Sequence, residues 1–266
     1  MADVLWFEDL KRGDVARVGG KNASLGEMVG GLAAGGIRVP PGFATPAQMY
    51  RDFLAHNRLD APIAGHLARL AEGRQALAET GAAIRGLIRG GDWPEAARDS
   101  ILAAYDELGR RTGQPEPAVA VRSSATAQDL PEASFAGQQE SFLNIPGAAA
   151  LFDACRRCLA SLWTDRAITY RTVQGFDHDK VALSVGVQLM VAAETGGAGV
   201  IFTLDTETGF DRVVMITAAW GLGETVVQGT VSPDEYQVFK PLLERPGLAP
   251  IIEKRDRKST RLNSSH

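Results

Sequence analysis

The sequence has few cysteines, no long apolar run and no excess of basic residues. Its only cysteines, Cys155 and Cys158, form a C-x-x-C pair in a helix-like segment, and no second pair of ligands accompanies them. This context favours packing inside a helix face over a zinc or redox site. No apolar stretch approaches the ~18–20 residues that span a membrane. With 28 basic and 32 acidic residues the formal net charge is −4, which argues against nucleic acid as the main partner.

The N-terminal segment MADVLWFEDL carries acidic residues at once and lacks the basic start of a signal peptide. We therefore expect a cytoplasmic protein without a membrane partner. The 266 residues are 45% hydrophobic and 23% charged, which is typical of one large or two modest globular domains.

The stretch from residue 119 to 145 predicts a strand, a small-residue loop and a returning strand. Val119 and Val121 alternate as in a strand, Arg122 stands near its end, and the return begins at Phe142. Small residues let backbone N–H groups approach a phosphate, and an arginine supplies a planar, permanently charged fork. The pattern is compatible with an anion cradle, but on chemistry alone it favours an ordinary polar hairpin that carries a solvated arginine.

A second candidate for anion binding is Gly19-Gly20-Lys21, because a helix is predicted to begin there. Apolar residues from Leu25 to Leu32 recur at helical spacing, and Gly35-Gly36 is typical of a helix end. Free N–H groups and the helix dipole favour an anion at such a start, and Lys21 adds a mobile positive charge. A glycine turn with a solvated lysine explains the same residues.

The remaining segments predict helices first and strands later. We expect helices over residues 46–112 and 148–170, with a break and N-cap near Thr164. Strands are expected over 181–191, 199–204 and 213–218, with further strand-like residues over 226–239, which suggests an antiparallel sheet. Residues 255–266 have one apolar residue and no periodicity, so we expect them to be disordered or foreign to the fold.

Several long motifs, in the same order and without gaps, resemble one family over nearly the whole chain. The motifs are VGGKNASLGEM (18–28), VPPGFAT (39–45), VRSSATAQDLPEASFAGQQESFLN (121–144), LWTDRAITYR (162–171), FTLDTETGF (202–210) and AAWGLGETVVQGTVSPDEYQVFKP (218–241). They look most like the N-terminal ATP-binding domain of the phosphoenolpyruvate synthases (pyruvate, water dikinases), within the pyruvate phosphate dikinase family.

The resemblance implies an α+β, ATP-grasp-like nucleotide-binding fold with two lobes, of which the second is incomplete. We expect a mostly helical lobe over residues 1–115 and a mixed lobe over 116–254, followed by the tail 255–266. A subdomain boundary near Pro115 and Pro117 agrees with this division.

The resemblance also assigns the candidate site residues. Lys21 and Arg122 would hold the phosphates and stabilise the transferred charge, as two cations on separate lobes. The strand from Gln188 to Val191 would receive adenine. The cofactor-binding residues implied are Lys21, Arg122, Gly137, Gln138, Gln188, Met190 and Val191.

The implied activity converts ATP, pyruvate and water to phosphoenolpyruvate, AMP and phosphate through a phosphohistidine on a domain that this chain lacks. ATP and Mg²⁺ are the expected cofactors, with the metal ligands beyond the end of this chain, and the resemblance is compatible with a homodimer of the complete enzyme. Pyruvate would bind only through missing domains, so we expect the chain alone to bind ATP weakly and to turn over no pyruvate. The alternatives are a rifampicin-type antibiotic phosphotransferase, pyruvate phosphate dikinase itself, or a non-catalytic nucleotide-binding module.

Three residues depart from the family pattern. Gln128 stands where the family usually has glutamate, and Leu189 stands where a basic residue is common. His178 does not lie in the Gly-rich Thr-Cys-His context of the phosphohistidine.

Overall fold

The computed structural model describes residues 3–126, 141–193 and 195–255. The chain divides into a first unit, Met1–Met190, and a second unit, Val191–His266. Each unit contains one antiparallel sheet, so the predicted α+β class is confirmed. In the described part of the chain, no helix combines the length and the apolar character that a membrane span requires.

The helices are α1 (Val15–Leu32), α2 (Ala47–His56), α3 (Asp60–Ala71), α4 (Leu77–Arg89), α5 (Glu95–Thr112), α6 (Gly147–Ser161), α7 (Asp165–Val173) and α8 (Gly223–Val227). The strands are β1 (Leu5–Trp6), β2 (Gly42–Ala44), β3 (Val119–Ala125), β4 (Ser141–Ile145), β5 (Leu183–Leu189), β6 (Gly197–Phe202), β7 (Val213–Trp220), β8 (Asp234–Phe239) and β9 (Ile251–Arg255).

The sheet of the first unit has the strand order β1-β2-β5-β3-β4. The central strands β3 and β5 pair antiparallel over their full length, with Val121 opposite Val187 and Arg122 opposite Gly186. Successive side chains of a strand point to opposite faces. Val121 and Val187 therefore share the face that enters the main hydrophobic core, where both are fully buried, and Arg122 belongs to the other face.

Helices α2 to α5 pack into the same core as this sheet. Phe53, Ile84 and Ile101 are fully buried in one cluster with Val121 and Val187. The boundary predicted after residue 115 therefore falls inside the first unit. The physical reason is that β3, which follows that point, pairs with β5, and β5 pairs with β2 from the beginning of the chain.

Helices α6 and α7 lie where the sequence predicts one or two helices. Thr164 is the N-cap of α7, and its hydroxyl accepts a hydrogen bond from the Ala167 N–H at 3.2 Å. Cys155 and Cys158 form no disulfide and are fully buried in the core cluster, which confirms the packing role favoured by the sequence.

The second unit contains the sheet β6-β7-β8-β9, antiparallel throughout. The sequence predicts strand-like residues from Val226 onwards, but Val226 and Val227 belong to the short helix α8, which follows the turn at Gly221. Strand β8 pairs on both sides, with β7 and with β9. Strand β9, which the sequence analysis did not identify, pairs with β8 and extends to Arg255, the first residue assigned to the tail.

We expect Tyr105→Phe to destabilise the first unit, because one hydroxyl joins its helical and sheet portions. The Tyr105 hydroxyl donates to the Pro117 carbonyl at 2.8 Å, just before β3, and accepts from the Gly147 N–H at 2.8 Å, at the start of α6. Losing both bonds lowers the free energy of unfolding by about 1–3 kcal/mol, measured by urea denaturation. Tyr236→Phe, the same change on β8 of the second unit, is the control. An equal loss in both variants would contradict this account.

Candidate anion-binding face of the first unit

Helix α1 is interrupted at Gly19, and its regular part begins directly before Lys21. Gly19 has φ 75° and ψ 163°, which only glycine adopts without strain. A Cβ at this position would lie 2.3 Å from Ser124 Oγ and 2.6 Å from the Ser124 carbonyl oxygen. The missing side chain therefore lets the helix start lie directly against β3, and the sequence prediction of a helix start at Gly19-Gly20-Lys21 is confirmed.

The face of the sheet that meets α1 is polar. Ser124 of β3 lies opposite Ser184 of β5, and Arg122 lies opposite both Gly186 of β5 and Ser141 of β4. Directly paired residues of an antiparallel sheet point to the same face. Arg122 is exposed between buried neighbours, so its charge emerges from this polar face beside α1.

Asn22 joins α1 to that face. Its side chain is almost completely buried, and its amide donates to Ser184 Oγ at 2.8 Å and to the Val18 carbonyl at 3.1 Å. Its backbone N–H donates to Ser124 Oγ at 3.4 Å, which satisfies one of the N–H groups that a helix start leaves without a partner. A Cβ on Gly186 would lie 2.3 Å from Asn22 Oδ1, so this contact also requires a glycine.

The charge of Arg122 acts on the amine of Lys21. Lys21 is exposed, yet the surrounding protein removes enough solvent to lower the pKa of its amine, and the positive charge of Arg122 lowers that pKa further. Both residues belong to the first unit, one on α1 and one on β3. The two cations thus belong to two elements of one unit, and the charge of Arg122 acts on the Lys21 amine.

Gln188 lies on the same face of the sheet as Arg122, because it is opposite Ala120 two residues along the ladder. Its amide donates to the Pro40 carbonyl at 3.1 Å and so holds the turn before β2. The Met190 N–H donates to the Ala118 carbonyl at 2.9 Å, and Val191, the first residue of the second unit, is exposed. Gly137 and Gln138 lie outside the described residues.

The sequence analysis missed three residues that fix this face, namely Asn22, Ser124 and Ser184. A signal existed for the first two, since Asn22 follows the candidate lysine and Ser124 follows the candidate arginine by two residues. Ser184 lies in an apolar strand sequence, and only the pairing of β3 with β5 shows that it meets Ser124.

A cavity of about 710 Å³ lies elsewhere in the first unit, lined by residues of α2, α3 and the segment before β5. His178 is on its wall and accepts a hydrogen bond at Nδ1 from Nε of Arg171 at 2.9 Å. Burial lowers the pKa of His178, and the Arg171 charge lowers it further. This histidine therefore has a local packing role in the described structure, and none of the candidate nucleotide residues lines the cavity.

A model of a known protein family matches most of the chain. The family model described as "Pyruvate phosphate dikinase, AMP/ATP-binding domain" matches residues 15–265, and the chain belongs to this family. The matched range includes most of residues 255–266, for which the composition predicts disorder or a foreign origin.

Curated relatives carry the name phosphoenolpyruvate synthase. The chain is 54% identical over 257 residues to the synthase of Neisseria meningitidis, covering 96% of this chain and 32% of the relative. It is 57% identical over 238 residues to that of Pseudomonas aeruginosa, covering 88% and 30%. The Escherichia coli protein is 49% identical over 248 residues, covering 92% and 31%. The chain thus spans about a third of the length of the relatives that it matches.

We expect Gly19→Ala to separate α1 from β3. The new methyl group would meet the Ser124 backbone, and the substituted residue would occupy a glycine-only conformation. The free energy of unfolding falls by at least about 2 kcal/mol, measured by chemical denaturation. Gly36→Ala is the matched control, because Gly36 also has a positive φ of 74° but nothing within 4 Å of its Cβ position. That control costs about 1 kcal/mol, and an equal cost for the two variants would contradict the close approach.

Proposed function

We propose that the chain binds the phosphate groups of ATP at the start of α1, between Lys21 and Arg122. The observation that carries this proposal is that the helix start with Lys21 packs against the strand that carries Arg122, whose charge acts on the Lys21 amine. The family description, which names an AMP/ATP-binding domain, supports the choice of ligand.

The chemistry of these groups suits a triphosphate. The Lys21 amine is a compact positive charge, and the Arg122 guanidinium is a planar fork that donates two parallel hydrogen bonds to phosphate oxygens. The positive end of the α1 dipole acts in the same direction. During phosphoryl transfer, charge spreads over the phosphate oxygens, and fixed cations stabilise it without reorganising. In this proposal Gly137 and Gln138 lie along the triphosphate.

Adenine recognition is proposed for the backbone at the end of β5. Because the Met190 N–H already donates to Ala118, the Met190 carbonyl and the Val191 backbone are the groups that we assign to the base. Gln188 contributes by holding the turn at Pro40, which fixes the strand end.

We further propose an ATP-grasp-like fold, and a protein containing this chain that converts ATP, pyruvate and water to phosphoenolpyruvate, AMP and phosphate. The name of the relatives supports the reaction, and their length, about three times the matched part, supports other domains as the carriers of phosphohistidine and pyruvate. A cytoplasmic location and a homodimer belong to the same proposal.

Magnesium is implied by the reaction, but the described residues do not fit it. Among residues 3–126, 141–193 and 195–255, no three His, Cys, Asp or Glu side chains lie together as metal ligands would. Asp205 of the second unit instead closes its own turn, accepting from the Thr208 hydroxyl at 2.7 Å and the Glu207 N–H at 2.9 Å. No step of the proposal passes through a metal held by these residues.

Removing either cation should weaken ATP binding. We expect Lys21→Ala and Arg122→Ala each to cost about 1–3 kcal/mol of binding free energy, roughly 5- to 150-fold in Kd, because a charge-assisted hydrogen bond is lost. Amide NMR titration with ATP up to millimolar concentration measures weak affinities of this kind.

Lys180→Ala and Arg110→Ala are the matched controls, since both residues are exposed and paired with Asp177 and Glu107. They should leave the affinity unchanged. An ATP affinity that is insensitive to Lys21→Ala and Arg122→Ala contradicts the proposal and favours a nucleotide-binding module that does not use this face.

The affinity should also fall in the alkaline range. Burial and Arg122 hold the pKa of Lys21 below the ordinary value of 10.5, so in the free protein the amine loses its charge at a lower pH than an exposed lysine. It is positive below that pKa and neutral above it, and the weakening of ATP binding follows the loss of charge. Titrations between about pH 7.5 and 10 measure this. Lys21→Arg keeps its charge over that range, and an equal fall in both proteins would contradict the assignment.

A further inference from the structure

One buried amide connects the helix that carries Lys21 with the strands that carry and face Arg122. Asn22 is 1% exposed and donates to Ser184 Oγ, and the Ser184 hydroxyl in turn donates to the Thr45 carbonyl at 2.6 Å. The Thr45 hydroxyl accepts from the Val185 N–H at 2.9 Å. The amide therefore belongs to a buried hydrogen-bonded chain that runs from α1 through β5 to the end of β2.

The position of this amide relative to both cations is specific. Asn22 directly follows Lys21 in the first turn after the Gly19 interruption, and its Oδ1 lies over Gly186, the residue opposite Arg122. A shift of the helix start across the sheet would therefore change the separation between the Lys21 amine and the Arg122 guanidinium.

We propose that Asn22 is a positioning residue for nucleotide binding. It fixes the first turn of the regular part of α1, so that Lys21 and Arg122 contact the same phosphate groups. The inference rests on the proposed function, because it acts through Lys21. Asn22 itself contacts no ligand in this proposal, since its side chain is buried and already bonded within the protein.

A double-mutant cycle tests the inference. Asn22→Ala should weaken ATP binding by about fivefold to tenfold in the otherwise unchanged chain, which is the size of effect that one buried hydrogen bond produces. In a Lys21→Ala background the same substitution should change the affinity by less than about twofold, because the group that it positions is gone. A full loss in both backgrounds would overturn the inference.

Asn57→Ala is the matched control for a general loss of stability. The Asn57 amide donates to the Phe53 carbonyl at 2.8 Å and to the Asp92 carbonyl at 2.9 Å, and its Oδ1 accepts from the Asp92 N–H at 2.8 Å. This asparagine has the same residue type and a similar number of bonds but lies at the end of α2. Its substitution should leave ATP affinity unchanged, and an effect equal to that of Asn22→Ala would overturn the inference.

A second readout follows the lysine directly. The chain has six lysines, so the titration of Lys21 can be assigned in ¹⁵N-lysine NMR spectra by comparison with Lys21→Arg. If Asn22→Ala releases the first turn, the pKa of Lys21 should rise towards 10.5, whereas Asn57→Ala should not move it. An unchanged Lys21 titration in a folded Asn22→Ala protein would overturn the inference.

Ser184→Ala provides the test if Asn22→Ala does not fold, because it removes the acceptor of one Asn22 bond and leaves the amide in place. It should raise the pKa of Lys21 and weaken ATP binding in the same direction, and no change in either would overturn the inference. Failure of the proposed function looks different, since Lys21→Ala alone would then leave ATP affinity unchanged.

Discussion

The structure of the first unit depends on the close approach of α1 to the polar face of its sheet. Two missing side chains permit this approach, one at Gly19 on the helix and one at Gly186 on β5. With any Cβ at either position, the backbone of β3 or the Asn22 amide would have to move. The contact that follows is made of buried hydrogen bonds rather than apolar packing, and such bonds fix orientation more strictly than apolar contacts do.

The two faces of the sheet of the first unit differ, one being apolar and the other polar. On one face, valines of β3 and β5 enter a core that also contains the helices α2 to α6. On the other face, serines and Gly186 leave room for α1 and for the Arg122 side chain. Arg122 thus belongs to a strand in which its neighbouring residues are buried. Side chains on helices and strands keep their geometry better than side chains on loops.

Local patterns in the sequence predicted the local parts of this arrangement. The glycine pair predicted the start of the helix, and the alternation around Val121 predicted the antiparallel pair of β3 and β4. Thr164 was predicted as an N-cap. The strand pairing across residue 115 was not accessible in this way, because it joins distant segments, and β5 pairs with strands from both sides of residue 115. Strand β9 was missed because its residues adjoin a polar segment without periodicity. The hydrogen-bond partner of Asn22 could not be predicted either, because Ser184 lies 162 residues away in the sequence.

The positive charge of Arg122 disfavours the charged form of the Lys21 amine in the free protein. Burial is the first cause of the lowered pKa of Lys21, and the charge of Arg122 adds to it. An anion bound between them reverses the sign of the interaction, because each cation then faces a negative charge. Under the proposed function, the energy of forcing the cations together is recovered when phosphate binds. The rigid attachment of α1 through Asn22 then has a physical purpose, since a loosely held Lys21 would move away from Arg122 and lose that gain.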